Sequence, residues 1–163
     1  MVDIRRAVEA DVVSGAHCHV ECWREAYSEL VDPERLAGIV AEIAERVELW
    51  QGLINTGRAP LVAVDGGQVV GFAIAGPPQE VGAPAAFQLY AINVRQVYYG
   101  TGAGQQLFDG AVGDRGCLLW VARDNPRAIA FYIRNGFALD GAEQQEPMFG
   151  IPIIRMVRPA TTS

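Results

Sequence analysis

The feature that most narrows the folds open to this chain is the run Gly100-Thr101-Gly102-Ala103-Gly104, three glycines at alternate positions between an apolar stretch and a helical one. Upstream, Phe87 to Val94 reads as a strand. Downstream, Gly102 to Val112 has apolar residues at 103, 107, 108 and 111, the spacing of a short helix. Glycines at such a junction let the backbone bend so that several N–H groups converge at the helix N-terminus. Free donors and the helix dipole there favour an anion, and a pyrophosphate suits them. A Rossmann fingerprint counted from Gly100 needs glycine at 105, where the chain has Gln105. A Walker loop needs lysine, and all thirteen basic residues are arginine. The same absence removes the pyridoxal Schiff base and every other lysine nucleophile. The three serines, Ser14, Ser28 and Ser163, lie outside any G-x-S-x-G elbow.

The remaining elements follow from periodicity and punctuation. A short strand is expected around Val2 to Arg6. Ala16, Val20, Trp23, Tyr27 and Leu30 mark one face of a helix. Asp32 then caps a second helix that has Pro33 at its first position, and Leu36, Ile39, Val40, Ile43, Val47, Trp50 and Ile54 repeat the helical spacing until Gly57. The first third is therefore expected to hold two amphipathic helices. Gly66-Gly67 between Leu61 to Asp65 and Gln68 to Ala75 reads as a β-hairpin. Cys117 to Val121 is a further strand, and Asn125, Pro126 and Gly136 supply cap, first position and stop for a last helix. Phe137 onward, with the run Ile151 to Val157, suggests a closing antiparallel pair in which Pro152 restricts its strand to an edge or to a first residue. This order describes an α+β fold with a mixed, mainly antiparallel sheet. No repeat or long linker divides the chain, so residues 1–163 read as one domain.

With thirteen positive and nineteen negative residues the chain carries a net charge of −6, which disfavours a bulk electrostatic grip on nucleic acid or on an anionic membrane. An anionic ligand would need a locally favourable site. No run approaches the ~20 apolar residues of a membrane span, and the start of the chain has no signal-peptide core, so a cytoplasmic location is expected. The odd count of Cys18, Cys22 and Cys117 fits reduced thiols. In His17-Cys18-His19-Val20-Glu21-Cys22 the two thiols share a helical face, while the two imidazoles are offset by about 100° to either side of Cys18. Four-ligand zinc is geometrically poor there, and no metal is expected.

Together, Tyr99-Gly100-Thr101-Gly102-Ala103-Gly104 and the segment from Asn125 to Phe137 resemble the GNAT superfamily of acyl-CoA-dependent N-acyltransferases. The first segment aligns with that family's Q/R-x-x-G-x-G/A motif. The second aligns with N-x-x-A-x-x-F-Y-x-x-x-G-F through Asn125, Ala128, Phe131, Tyr132, Gly136 and Phe137. The resemblance implies a GNAT-like sheet flanked by helices, with splayed central strands that hold acetyl-CoA as acyl donor. Ile92, Asn93 and Val94 would pair with the pantetheine arm. Tyr99 to Gly104 would take the pyrophosphate, with Asn125, Ala128 and Phe131 on the cofactor side and Arg134 meeting the adenosine 3′-phosphate. Tyr132 stands at the family's general-acid position. A phenol with an ordinary pKa of about 10 is protonated at neutral pH and can donate to the leaving sulfur.

Two positions depart from the family pattern. Tyr99 fills the place usually held by Gln or Arg, leaving Thr101 Oγ or the backbone to contribute more. Gln88 stands where many relatives have a glutamate that deprotonates the amine, and an amide cannot serve as base. Glu21, Glu25 and Glu80 are the candidates that remain on the acceptor side, with a solvated surface charge as the alternative reading of each; Trp23, on the first helix, reads as core or as acceptor contact. The expected reaction is direct attack by a primary amine of a small molecule or peptide on acetyl-CoA in a ternary complex. The other reading is a non-catalytic acyl-CoA-binding or regulatory domain. An edge strand also leaves a homodimer open.

Overall fold

A computed structural model describes residues 1–160 of the chain, so the last three residues of the expected 1–163 domain lie outside the described residues. The elements in chain order are β1 (Asp3–Arg6), α1 (Val12–Tyr27), α2 (Pro33–Ala41), α3 (Ile43–Asn55), β2 (Leu61–Asp65), β3 (Gln68–Gly76), β4 (Gln88–Val94), α4 (Ala103–Ala111), β5 (Cys117–Ala122), α5 (Pro126–Arg134), β6 (Ala138–Glu146) and β7 (Ile151–Arg158). Hydrogen bonding orders the strands β1-β2-β3-β4-β5-β7-β6. The β1–β2, β2–β3, β5–β7 and β6–β7 ladders are antiparallel, and β4 runs parallel to β5. The mixed, mainly antiparallel α+β fold is therefore as expected. Among the described residues no helix is long and apolar enough to cross a membrane.

The chain forms two compact units. The first comprises Met1–Ile74 and Ala91–Gly113, and the second Ala75–Tyr90 and the chain from Asp114 onward. In the first, the β2–β3 hairpin turns through Gly66 and Gly67, with φ of +57° and +78°, the double left-handed geometry of a tight primed turn. Three helices stand where two were expected. The apolar spacing runs unbroken from Leu36 to Ile54, but Glu42, at φ −82° and ψ 54°, leaves helical geometry and separates α2 from α3. Neither glycine nor proline marks that break, and the 3-4 spacing continues across it, so periodicity cannot register it. Asp32 does cap α2, its carboxylate accepting the Arg35 N–H at 3.1 Å. Trp50 on α3 is fully buried against α1, where Gly15 leaves room for its ring.

In the second unit, Gln88 at the start of β4 lies opposite Leu118 of β5, and the core is built from Leu118, Leu119, Met156 and Phe137. Asn125 and Pro126 start α5 as expected, with Asn125 Oδ1 accepting the Ala128 N–H at 3.2 Å. Gly136, at φ +89°, ends it. β7 is an interior strand between β5 and β6, which corrects the edge-or-first-residue expectation for Pro152. Pro152 is the second residue of β7. The ladder with β5 begins only at Ile153 opposite Ala122, and the Pro152 carbonyl accepts the Arg123 N–H at 3.0 Å. The missing proline donor thus falls at the end of the β5 ladder, where it interrupts nothing.

Candidate active site

The glycine run forms a cradle-shaped loop at the N-terminus of α4, within the first unit. β4 ends at Val94, a 3-10 turn covers Gln96–Tyr98, and Gly100 and Gly102 adopt φ of +78° and +89° before α4 begins at Ala103. Gly102 is the N-cap of α4 and, having no side chain, makes no cap hydrogen bond to the helical amides. Among the described residues no protein acceptor takes the N–H groups of Gly100, Gly102 or Gly104. A Cβ at Gly102 would meet only Gln106 Nε2, at 3.9 Å, so backbone conformation rather than crowding calls for glycine. Thr101 Oγ is engaged inside the loop. It donates to the Tyr98 carbonyl at 2.6 Å and lies 3.4 Å from the Ala103 N–H it accepts. Its hydrogen braces the turn, so the donors left unengaged at this loop are backbone amides.

Two carboxylates tether the turn that precedes this cradle. Glu25 Oε1, near the end of α1, accepts Arg95 Nε at 2.9 Å and the Gln96 N–H at 3.1 Å. The Glu25 contact raises the Arg95 guanidinium above its ordinary range. Glu25 is therefore neither a solvated charge nor an unengaged base. Asp65, beside the Gly66-Gly67 turn, accepts the Tyr98 hydroxyl at 2.5 Å and raises that phenol's pKa. Neither Asp65 nor Arg95 was singled out from sequence; Arg95 directly following β4 in a stretch with no other cation was the available signal. Ile92, Asn93 and Val94 are half-buried at the end of β4, and Tyr99 is half-buried at the loop's entrance. Glu21 is paired with Arg24 on α1.

The second unit holds the other motif. Tyr132 is buried on α5, with its ring 5.6 Å from Phe131 and 5.9 Å from Phe137 in edge-on contacts. Arg134, the last residue of α5, is exposed with its guanidinium 5.8 Å from the Phe131 ring centre. Asn125 Oδ1 and the Ala128 N–H are joined in the helix cap, which fixes where α5 starts. The connection from β3 to β4 is pinned at several points. Glu80 accepts Trp120 Nε1 at 3.2 Å and Arg155 Nη1 at 2.9 Å, and Arg155 Nε also donates to Asp140 at 2.6 Å. Gln88 is buried, its carbonyl oxygen accepting the Gln79 N–H at 3.0 Å, and the Tyr90 hydroxyl donates to the Pro77 carbonyl. Trp120 and Arg155 were absent from the sequence-derived candidates because β-strand residues so far apart in sequence give no local signal.

The histidine and cysteine segment belongs to the core. His17 is exposed, whereas His19 is buried among Trp23, Trp50 and Phe72, with Nδ1 accepting Trp50 Nε1 at 3.2 Å. Burial first, and Arg46 second, lower its pKa to about 3. The ring is thus neutral at neutral pH. Cys18 and Cys22 are buried with sulfurs 3.9 Å apart, and the Cys18 contact together with burial holds the Cys22 thiol well above its ordinary range. Trp23 packs on His19 at 4.6 Å beneath the Arg46 guanidinium at 4.9 Å, a core position. Among the described residues no group of three or more His, Cys, Asp and Glu side chains is placed to hold a metal ion.

Comparison with known proteins matches these elements to one family. A model of the acetyltransferase (GNAT) domain matches residues 56–139, from just past α3 through the cradle and α5 to the start of β6. The chain is 26% identical over 162 residues to a Mycobacterium tuberculosis protein named "probable N-acetyltransferase", covering 93% of this chain and 89% of that one. It is 29% identical over 167 residues to an uncharacterized N-acetyltransferase of Bacillus subtilis, covering 93% and 94%. The fold is similar to the crystal structure of the PaiA N-acetyltransferase of Thermoplasma acidophilum in complex with coenzyme A, with a TM-score of 0.73 and 17% identity over 99% of each chain. The glycine cradle, the capped α5 with its buried tyrosine and the mixed sheet all fall within or beside the matched span, and the chain belongs to the GNAT acetyltransferase family.

Proposed function

We propose that residues 1–163 act as one acetyltransferase domain that moves an acetyl group from acetyl-CoA to the primary amine of a small-molecule or peptide acceptor, by direct attack in a ternary complex. The observation that carries this reading is the set of unengaged N–H groups of Gly100, Gly102 and Gly104 around the N-terminus of α4. In a chain of net charge −6 they supply the local attraction that a pyrophosphate needs. Ile92, Asn93 and Val94 pair with the pantetheine arm, and Arg134 meets the adenosine 3′-phosphate. The acceptor, as R–NH3⁺, first loses a proton to solvent. Its nitrogen lone pair then attacks the thioester carbonyl carbon, and the C–S bond breaks as the tetrahedral intermediate collapses. The thiolate takes the Tyr132 proton, the new amide nitrogen sheds its second proton, and Tyr132 is reprotonated from water.

Loss of the acceptor's first proton to solvent is supported by the state of the other candidates. Gln88 is an amide, Glu25 and Glu80 each accept two donors, Glu21 faces Arg24, and His19 is buried with its Nδ1 engaged. Turnover should therefore climb with pH toward the amine's own pKa of about 10. The test is mass-spectrometric detection of acetylated product from a panel of amines, followed by steady-state kinetics of Tyr132→Phe. That variant should lose roughly 10²- to 10⁴-fold in kcat and keep its acetyl-CoA affinity. Turnover like wild type would refute the acid role. Acetyl-CoA binding without acetylation of any amine would instead favour an acyl-CoA-binding or regulatory domain.

A further inference from the structure

We infer that Glu25 is a positioning residue for the pyrophosphate loop, tying the last turn of α1 to the backbone from which that loop springs. The inference rests on the proposed assignment of Tyr99 to Gly104 to the pyrophosphate. One carboxylate oxygen takes two donors of different kinds, the Arg95 guanidinium at 2.9 Å and the Gln96 backbone N–H at 3.1 Å. Residues 25 and 95 are 70 apart in sequence, so the contact joins two elements that have no local reason to meet. Arg95 is anchored from its other side as well, its own N–H donating to the Val70 carbonyl of β3 at 2.9 Å. The end of β4 is thereby held both to the hairpin and to α1, and the 3-10 turn Gln96–Tyr98 starts from a fixed point. Tyr98, bonded to Asp65, fixes the other end of that turn. The loop from Tyr99 to Gly102 then springs from that fixed turn, to which the Tyr99 and Thr101 N–H groups also bond, at the Gln96 and Tyr98 carbonyls.

Charge gives the same assignment. Arg95 is the sole cationic residue between Ala91 and Gly113, and Glu25 engages it. The pair is part-buried, with the Glu25 side chain 18% exposed and that of Arg95 34%. A carboxylate this close to a phosphate loop would be repulsive if it stood alone; neutralised by Arg95 it serves as an anchor. Removing it frees the Gln96 N–H to water and lets the turn fray, so a ligand must order the loop as it binds. The penalty falls on ligands that use the loop and spares those that do not.

The experiment compares acetyl-CoA with S-acetylpantetheine, which has the same thioester and arm but no pyrophosphate, across wild type, Glu25→Ala, Glu25→Gln, Arg95→Met and Gly102→Val. Glu25→Ala should raise KM for acetyl-CoA about tenfold while changing kcat, and KM for S-acetylpantetheine, by less than about twofold. Glu25→Gln still accepts both donors and should restore most of the loss. Arg95→Met, which cuts the pair from the loop side, should give the same ligand pattern without touching α1. An unchanged KM for acetyl-CoA in Glu25→Ala, or an equal rise for both donors, overturns the inference. Gly102→Val separates that result from failure of the loop assignment. If Gly102→Val also keeps the wild-type preference for acetyl-CoA, the pyrophosphate is held elsewhere and the inference falls with that reading. If Gly102→Val loses the preference and Glu25→Ala keeps it, only the role of Glu25 is refuted.

Discussion

Replacing Gly15 by alanine sets two effects of opposite sign against each other. Gly15 lies inside α1, and in a helix interior Gly→Ala is worth about 1 kcal/mol of stabilisation, so sequence reasoning expects a gain. The structure reverses the sign. A Cβ at Gly15 would sit 2.3 Å from Trp50 Cζ3, 2.5 Å from Cε3 and 2.6 Å from Cη2, against the roughly 3.5 Å at which carbon atoms rest. Those atoms belong to a rigid ring with no exposed surface, held also by the Trp50 Nε1 bond to His19. Either α1 and α3 part by about 1 Å or the ring leaves its well. Overpacking of this kind costs about 1–3 kcal/mol, and weakening the buried hydrogen bond adds up to about 1. After the propensity gain is subtracted, the middle of these ranges leaves a net loss of about 1.5 kcal/mol, or roughly 3–6 °C in Tm for a chain of this size. Gly38→Ala in α2 and Gly52→Ala in α3 are the controls, because a Cβ at either meets nothing within 4 Å. Both should gain about 0.5–1 kcal/mol. Scanning calorimetry on the three variants decides the matter, and Gly15→Ala melting at or above wild type would refute the α1–α3 packing described here.

Two further outcomes can be measured directly. Because His19 has its pKa lowered from 6.5 to about 3, the unfolded chain binds a proton that the folded chain refuses throughout that window. Stability conferred by the neutral buried ring should therefore be present in full above pH 6.5 and fall as pH drops toward 3, by up to about 1.4 kcal/mol per unit. Urea unfolding at about pH 7, 5.5 and 4 should show a flatter pH dependence in His19→Gln, and equal slopes would refute the assignment. Arg134→Ala should abolish discrimination between CoA and 3′-dephospho-CoA in calorimetry if its exposed guanidinium meets the 3′-phosphate; equal discrimination in both proteins rules that contact out.

Sequence alone determined the elements whose signals are local. Asp32-Pro33, Gly66-Gly67, Gly102 and Asn125-Pro126 each act on their own backbone through capping, positive φ or a fixed φ, and each marks the boundary at which the structure changes direction. The strand, glycine loop and helix order with the N-x-x-A-x-x-F-Y segment carried the family as well. Tertiary structure decided what depends on meetings between distant residues. The break at Glu42 has no breaker residue and appears only in the backbone. Glu25 read as a solvated surface charge, with a base as the other reading, until its two donors, Arg95 and Gln96, were in place beside it. Thr101 carried a hydroxyl suited to a phosphate until the turn aimed that hydroxyl at Tyr98. His19, read in the sequence only as an imidazole offset from the two thiols, became a neutral core residue once three aromatic rings enclosed it. Propensity and capping are set within a few residues of chain, whereas the state of a carboxylate, hydroxyl or imidazole is set by whichever donors and apolar surfaces the fold brings to it.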